Sequence, residues 1–411
     1  MPPPARLLDL TRLMSRLGKG QPTGVDRVEA AYLAELLVRP DIVFGLIRSK
    51  AGYLLLDRAG MARFQTMVET QAPLPAPDML SRLLRRGDPP LAAAETAARG
   101  LATARCLPIR LPALLRRHLP AGFTYLNTGH AHLGARSLAA NRAGGAGKCV
   151  VLIHDTIPLD HPEYSRPDRI ENFRAKLAAT AAGADLVIHS AQCTRQQTEA
   201  HFARFGRVPP GLTAPLGLAP PPPVGAPDRS TPYFVTLGTI EPRKNHAFLL
   251  DLWDQLYRTL PASDMPHLLI IGRRGWSNAP VFARLDNLGP LRDFVFELAD
   301  MPDAEVTTLL AHARALLFPS FVEGYGLPPL EAAQLGTAVI VPPLPIYRET
   351  MGNYPVYAAL KDSYSWLETI IRLKDGTTAQ EQSGTGHADM VKQAATAPRW
   401  SDHFNLVLNS V

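Results

Sequence analysis

The stretch LAPPPPVGAPDRSTP at residues 218–232 constrains the fold of this chain more than any other. Its four consecutive prolines, Pro220 to Pro223, have a fixed φ and no N–H to donate. Such a run joins neither a central strand nor a helix interior, and it stiffens toward polyproline II. The chain therefore divides there. Its 411 residues are in any case too many for one compact core. The pattern predicts domains over 1–217 and 233–390, joined by the 218–232 linker and closed by a helix within 391–411. Both halves alternate short apolar runs with longer amphipathic ones, as βαβ units do. Strands are expected at Leu7–Leu10, Cys149–His154 and Asp185–His189 in the first half, with a helix from about Arg27 to Leu37. In the second half they are expected at Tyr233–Leu237, His267–Ile271, Phe294–Glu297, Ala315–Phe318 and Ala338–Val341. Parallel strands throughout predict an α/β chain of two doubly wound, Rossmann-like domains facing across a cleft. Ligands of such sheets sit beyond the carboxyl ends of the strands. The polar stretch 376–397 reads as a surface connection.

Composition removes several classes. Hydrophobic residues at 46% and charged residues at 19% mark a globular chain, not a disordered one. Cys106, Cys149 and Cys193 are odd in number and widely spaced, which suits a reducing cytoplasm better than a disulfide framework. No apolar run reaches the roughly 18 residues that span a bilayer, and the N-terminus lacks a signal-peptide pattern. Charge is uneven: residues 1–217 hold 28 Lys and Arg against 17 Asp and Glu, residues 218–411 hold 15 against 20. The basic half suits an anionic partner. Arg82, Arg85 and Arg86, then Arg110, Arg116 and Arg117, lie among leucines in segments that suit either a solvated helix face or anionic lipid at the inner face of the cytoplasmic membrane. Without interleaved aromatics, nucleic acid is the weakest partner.

Four segments carry chemistry. In FPSFVEGYGLPPLEA, Phe318 to Ala332, a strand gives way to a glycine loop and then a helix starting near Pro328 or Pro329. A helix start offers backbone amides and a positive dipole end to a phosphate. Glu323 and Glu331 flank this loop, and paired carboxylates grip vicinal hydroxyls by accepting two hydrogen bonds; helix-dipole complementarity is the competing reading. Gly238 to His246, GTIEPRKNH, places Arg243 and Lys244 just past a strand end, where two cations can neutralise a diphosphate or simply face solvent. His154 ends the strand CVVLI, as hydrogen-bonding partner or as a satisfied core residue. Gly24, in the first strand-to-helix loop, leaves room for a ligand against the backbone. The chain has no Asp-x-Asp and no metal-spaced His/Cys cluster, so a metal-dependent mechanism lacks its ligands.

Together these segments resemble the large family 4 of retaining, nucleotide-sugar-dependent glycosyltransferases, which have the GT-B fold. The E-x7-E pattern from Glu323 to Glu331, preceded by FPS, carries the resemblance. LGTIEPRKN, LLIIGRRGW, HDTIPLDHPEY, SAQCTRQQT and the PLG at 215–217 support it in the family's order. The resemblance implies that Glu331 holds the ribose hydroxyls and Glu323 the donor sugar. Arg243 and Lys244 would bind the diphosphate, with Gly238 and the amides near Gly326 and Leu327 completing its cradle. His154 would sit beside the sugar, the Gly24 loop would close over phosphates and acceptor, and the C-terminal helix over 391–411, around Trp400 and Ser401, would cross back to pack on the N-terminal domain. It further implies a metal-independent enzyme with no cofactor, taking a GDP-, UDP- or dTDP-linked sugar as donor. The HDTIPL and EPRKN variants lean toward mannose or rhamnose, transferred to a cell-surface polysaccharide or lipid-linked glycan. A nucleotide-sugar epimerase or hydrolase and an inactive GT-B binding module are the alternatives. Two departures stand out: Thr239 where the family often has arginine, and the LADM segment, Leu298 to Met301, where a glycine is common. Region 58–118 carries no family motif, which assigns it to acceptor recognition.

Overall fold

A computed structural model describes residues 4–20, 22–226, 231–376 and 398–411. The chain forms two compact units, Met1–Leu216 together with Trp400–Val411, and Gly217–Arg399. The stretch read as a surface connection lies, from 377 to 397, outside the described residues.

The first unit is built on eight strands: β1 (Ala5–Asp9), β2 (Ile42–Ser49), β3 (Gly52–Leu56), β4 (Ala104–Cys106), β5 (Thr124–Asn127), β6 (Lys148–Ile153), β7 (Leu186–His189) and β8 (Gly211–Thr213). Their order is β4-β3-β2-β1-β5-β6-β7-β8. The expectation of parallel strands fails at one edge, where β2, β3 and β4 run antiparallel. The reason is local. Only Lys50 and Ala51 separate Ser49 from its partner Gly52, enough for a hairpin and far too few for a crossover. Gly52 is required there, because at φ +154° a Cβ would lie 2.1 Å from the Cys106 carbonyl oxygen of β4. The core on one side gathers Leu7, Tyr125, Val151, Val187 and Phe202, all buried.

The final helix, Trp400–Leu408, packs into this first unit. Phe404, Val407 and Leu408 are buried. His403 Nδ1 lies 3.1 Å from the Ala214 carbonyl oxygen, which can only accept, so Nδ1 carries the proton. Its Nε2 then accepts from the Tyr32 hydroxyl at 2.7 Å.

The second unit contains β9 (Tyr233–Leu237), β10 (His267–Ile271), β11 (Val295–Leu298), β12 (Leu316–Leu317), β13 (Val339–Val341) and β14 (Val356–Tyr357). Every pairing among them is parallel, in the order β11-β10-β9-β12-β13-β14. This is the doubly wound order, whose switch point falls between the first and fourth strands. Trp253 and Trp366 anchor the core, fully buried, with each indole N–H donated to a backbone carbonyl, that of Pro266 and of Ala358. The stretch expected as a strand over Ala315–Phe318 shortens to Leu316–Leu317.

Candidate functional site

Both sheets reverse direction beside their first strand, and the sequence-predicted residues gather at those two points. In the second unit the switch lies between β9 and β12. The loop after β9 bends at Gly238, whose φ of +137° suits glycine. A single turn, Pro242–Lys244, ends at left-handed Asn245 before the helix His246–Thr259 begins. The loop after β12 meets it directly, with the Phe321 N–H donating to the Arg243 carbonyl at 2.8 Å. Adjacent strands thus bring together side chains 79 residues apart in sequence.

Glu323 is the hub. One carboxylate oxygen accepts from Lys244 Nζ at 2.6 Å and lies 2.8 Å from Arg243 Nη1. Arg243 Nε reaches Glu241 at 2.6 Å, and Glu241 also accepts from the Trp276 indole at 3.3 Å. Lys244 Nζ stands 4.1 Å from the centre of the Phe318 ring. Lys244 does not face solvent, since it and the Glu323 side chain are buried, while Arg243 stays partly exposed. Burial alone would push the Glu323 carboxyl up, but Arg243 and Lys244 outweigh it and hold the group down at about 2. For Lys244 burial, helped by the neighbouring Arg243, outweighs the pull of Glu323 and Glu241, and its ammonium falls to about 8. The charge of the two cations is matched by Glu323 and Glu241, a pairing the sequence did not signal.

The helix Leu327–Gln334 starts one turn further on. Its N-cap Gly326 has φ +86°, and a Cβ there would meet the Tyr347 ring at 2.7 Å. Because Pro328 and Pro329 carry no N–H, this helix start presents fewer donors than an ordinary one, those of Gly326 and Leu327. Glu331 sits half-buried in the same helix. In the LADM segment Asp300 adopts the left-handed conformation at φ +58°, where the family's glycine would fit, and pairs with Arg273.

In the first unit the switch lies between β1 and β5. The helix Gly24–Val38 begins at exposed Gly24, and Asp26 closes a capping box with Thr23 at 2.7 Å. Asp26, buried, also binds Arg12 at 2.6 Å and Arg16 at 3.2 Å. The helix start thus has its own carboxylate. At the end of β5, Asn127 orders a loop with two left-handed histidines, His130 and His132. Asp9, at the end of β1, accepts from the Tyr125 hydroxyl at 2.8 Å, and burial raises its carboxyl to about 6. His154 follows β6. Its Nε2 lies 2.6 Å from the Thr128 carbonyl oxygen and so carries the proton, leaving Nδ1 as the ring's acceptor. Burial pulls its ionisation down to about 4, so His154 is neutral at pH 7. The His130 ring stands 5.1 Å from it. The sequence pointed to His154 and Gly24 but not to Arg12, Asp26 or His130. The one usable signal was TGHAH after the short strand TYLN, which its length hid.

Residues 223–384 match the family model described as Glycosyl transferases group 1. Among curated relatives, the serotype-specific mannosyltransferase WbdA of Escherichia coli is 32% identical over 234 residues, 53% of this chain and 28% of WbdA. The O-antigen chain mannosyltransferase B of Escherichia coli is 28% identical over 230 residues, 52% of this chain and 58% of the relative. The chain thus matches under a third of WbdA and a little over half of the second relative. Among solved structures, the lipopolysaccharide outer core galactosyltransferase WaaB has a TM-score of 0.56 at 15% identity, covering 99% of this chain and 98% of its own. HepE of Anabaena, in complex with UDP and glucose, has a TM-score of 0.55 at 13% identity, covering 95% and 98%. The fold is GT-B.

Proposed function

We propose that the chain transfers a sugar from a nucleotide-diphosphate donor to a glycan or lipid-linked acceptor in polysaccharide assembly, with retention of the anomeric configuration and without a metal ion. The observation that carries this reading is the Arg243, Lys244 and Glu323 cluster at the second unit's switch point, beside a helix start with free amides. Mannose is the sugar we favour, because relatives at about 30% identity are named mannosyltransferases.

The roles follow from the charges. The donor's diphosphate takes up Arg243, Lys244 and the Gly326 and Leu327 amides, while Glu331 accepts from the ribose hydroxyls. As the bond from C1 to the phosphate oxygen breaks, negative charge grows on that phosphate, and fixed cations lower the barrier most there. Glu323, kept ionised, accepts from a sugar hydroxyl once the diphosphate draws the two cations. His154 Nδ1 is the acceptor that the first unit offers to a sugar hydroxyl. The acceptor hydroxyl bonds to C1 on the face the phosphate leaves, and its proton passes to that phosphate. Gly24 gives the acceptor side an open backbone. With Arg243 and Lys244 supplying positive charge, turnover should persist in chelator.

A thermal-shift panel of GDP-, UDP- and dTDP-linked sugars tests the donor assignment. One nucleotide sugar should raise the melting temperature of the full chain, and Glu331→Ala should weaken that binding about tenfold or more. No shift with any nucleotide sugar would contradict the reading.

A membrane contact is favoured by a separate observation. Met79 and Ile109 are each 87% exposed, near Arg82, Arg86 and Arg110 in sequence. Arg85 and Arg116 of the same clusters are engaged internally, with Glu95 and the Ala143 carbonyl. No helix among the described residues is long and apolar enough to cross a membrane. Binding to anionic vesicles should fall as salt rises; its absence at low salt would contradict this contact.

A further inference from the structure

One face of the helix Pro167–Gly183 has no use in the proposal above. Arg169, Phe173 and Lys176 fall at the i, i+4, i+7 positions of a single stripe. Phe173 fixes where that stripe points, because its ring centre lies 6.1 Å from His130, whose own ring is 5.1 Å from His154. The two cations therefore flank the carboxyl ends of β5 and β6, at the first unit's switch point. Neither side chain has an ion pair or hydrogen-bond partner among the described residues. The nearby acids are spent: Asp26 is shared by Arg12 and Arg16, Asp9 is held by Tyr125, and Glu171 on the same helix pairs with Arg174. Glu29, whose carboxyl burial pushes well up, accepts from the Leu13 N–H. Lys176 is pulled down by burial and then by Arg12 and Arg169, as a cation is when only cations surround it.

We propose that Lys176 and Arg169 form a subsite for a phosphate or diphosphate group carried by the sugar acceptor. Arg169 is exposed, but Lys176 is half-buried with no countercharge, and such a cation is costly to keep unless an anion visits it. The donor's diphosphate has its own cations in the second unit, whereas this pair lies in the first unit, on the helix whose Phe173 packs by His130 and, through it, His154. The inference rests on the sugar-transfer reading and names the acceptor's chemistry.

The test uses the full chain with a donor it turns over and one glycan offered in three forms: a neutral glycoside, a soluble phosphate monoester and an isoprenyl diphosphate. The double variant Lys176→Gln/Arg169→Gln should raise the KM of a phosphorylated form about tenfold or more, the scale of losing a charged hydrogen bond. The neutral form's KM, the donor's KM and donor hydrolysis by water should stay unchanged, and Lys176→Arg should restore the loss. A loss for both phosphorylated forms assigns the subsite to phosphate in general; a loss confined to the isoprenyl diphosphate assigns it to a lipid-linked acceptor. An equal loss for the neutral form, or a raised donor KM, overturns the proposal. If the wild-type chain neither transfers nor hydrolyses any donor, the transfer reading fails by itself. Calorimetry with the phosphate monoester then decides the subsite: tighter binding than the neutral glycoside, lost in the double variant, upholds it, and equal binding by both proteins overturns it.

Discussion

Replacing Lys244 with methionine should leave the fold intact and slow turnover about 100-fold. The ammonium falls from an ordinary 10.5 to about 8 chiefly through burial, which costs about 3 kcal/mol at neutral pH. Glu323 is held at about 2 against burial by the pull of Arg243 and Lys244. The Lys244–Glu323 attraction is already part of both shifts, and in a buried pair it is largely offset by the cost of burying the two charges. Methionine conserves the apolar stem against Phe318, and Glu323 keeps Arg243 at 2.8 Å. Urea unfolding at pH 7 should therefore show a change within about 1 kcal/mol, while kcat falls about 100-fold, the scale of losing one fixed donor to a developing charge. The sign of the pH dependence is a second check. The folded value lies below the unfolded one, so the unfolded chain holds the proton longer. The cost is full below pH 8 and fades as pH rises from 8 to 10.5. Wild type should thus gain up to about 3 kcal/mol relative to Lys244→Met across that window. A loss of more than about 2 kcal/mol at pH 7, or parallel curves from pH 7 to 10, would refute the reasoning.

Three further outcomes follow from other sites. Gly326→Ala should lower stability by more than about 1 kcal/mol and abolish donor binding, since the left-handed backbone and the Tyr347 ring both oppose a Cβ; a variant melting at the wild-type temperature would contradict this. Phe404→Ala should cost about 3–5 kcal/mol in urea unfolding of the first unit, because the fully packed ring stands 5.0 Å from Tyr32; a cost under about 1 kcal/mol would show the last helix to be dispensable. Acid should unfold the chain well above pH 4. Burial lowers His154, His246 and His403 to about 4, below their unfolded value of 6.5, so native stability falls as pH drops through that window; an unchanged circular dichroism spectrum at pH 4.5 would contradict it.

Long apolar strands and the spacing of E-x7-E were legible because each is set by neighbouring residues. Tyr233–Leu237 and His267–Ile271 begin and end where their hydrophobic runs do. The hairpin edge of the first sheet escaped because Lys50 and Ala51 bear no strong turn signature, and the short β5 lacks the length for a pattern. At the site, residue types were legible and pairings were not. The Lys244–Glu323 contact depends on β9 and β12 lying side by side, a fact of topology that neither segment encodes alone. Arg12 and Asp26 likewise read as ordinary surface residues until their two helices meet.

Sugar transfer itself is the central claim, and one reaction tests it most directly. The purified full chain, in chelator, is given the nucleotide sugar that stabilises it and a glycan acceptor, and the product is read by proton NMR. Release of one nucleoside diphosphate per new glycosidic bond, with the donor's anomeric configuration kept, is the predicted result. An inverted linkage, an epimerised donor, or turnover that appears only when a divalent ion is restored would contradict it.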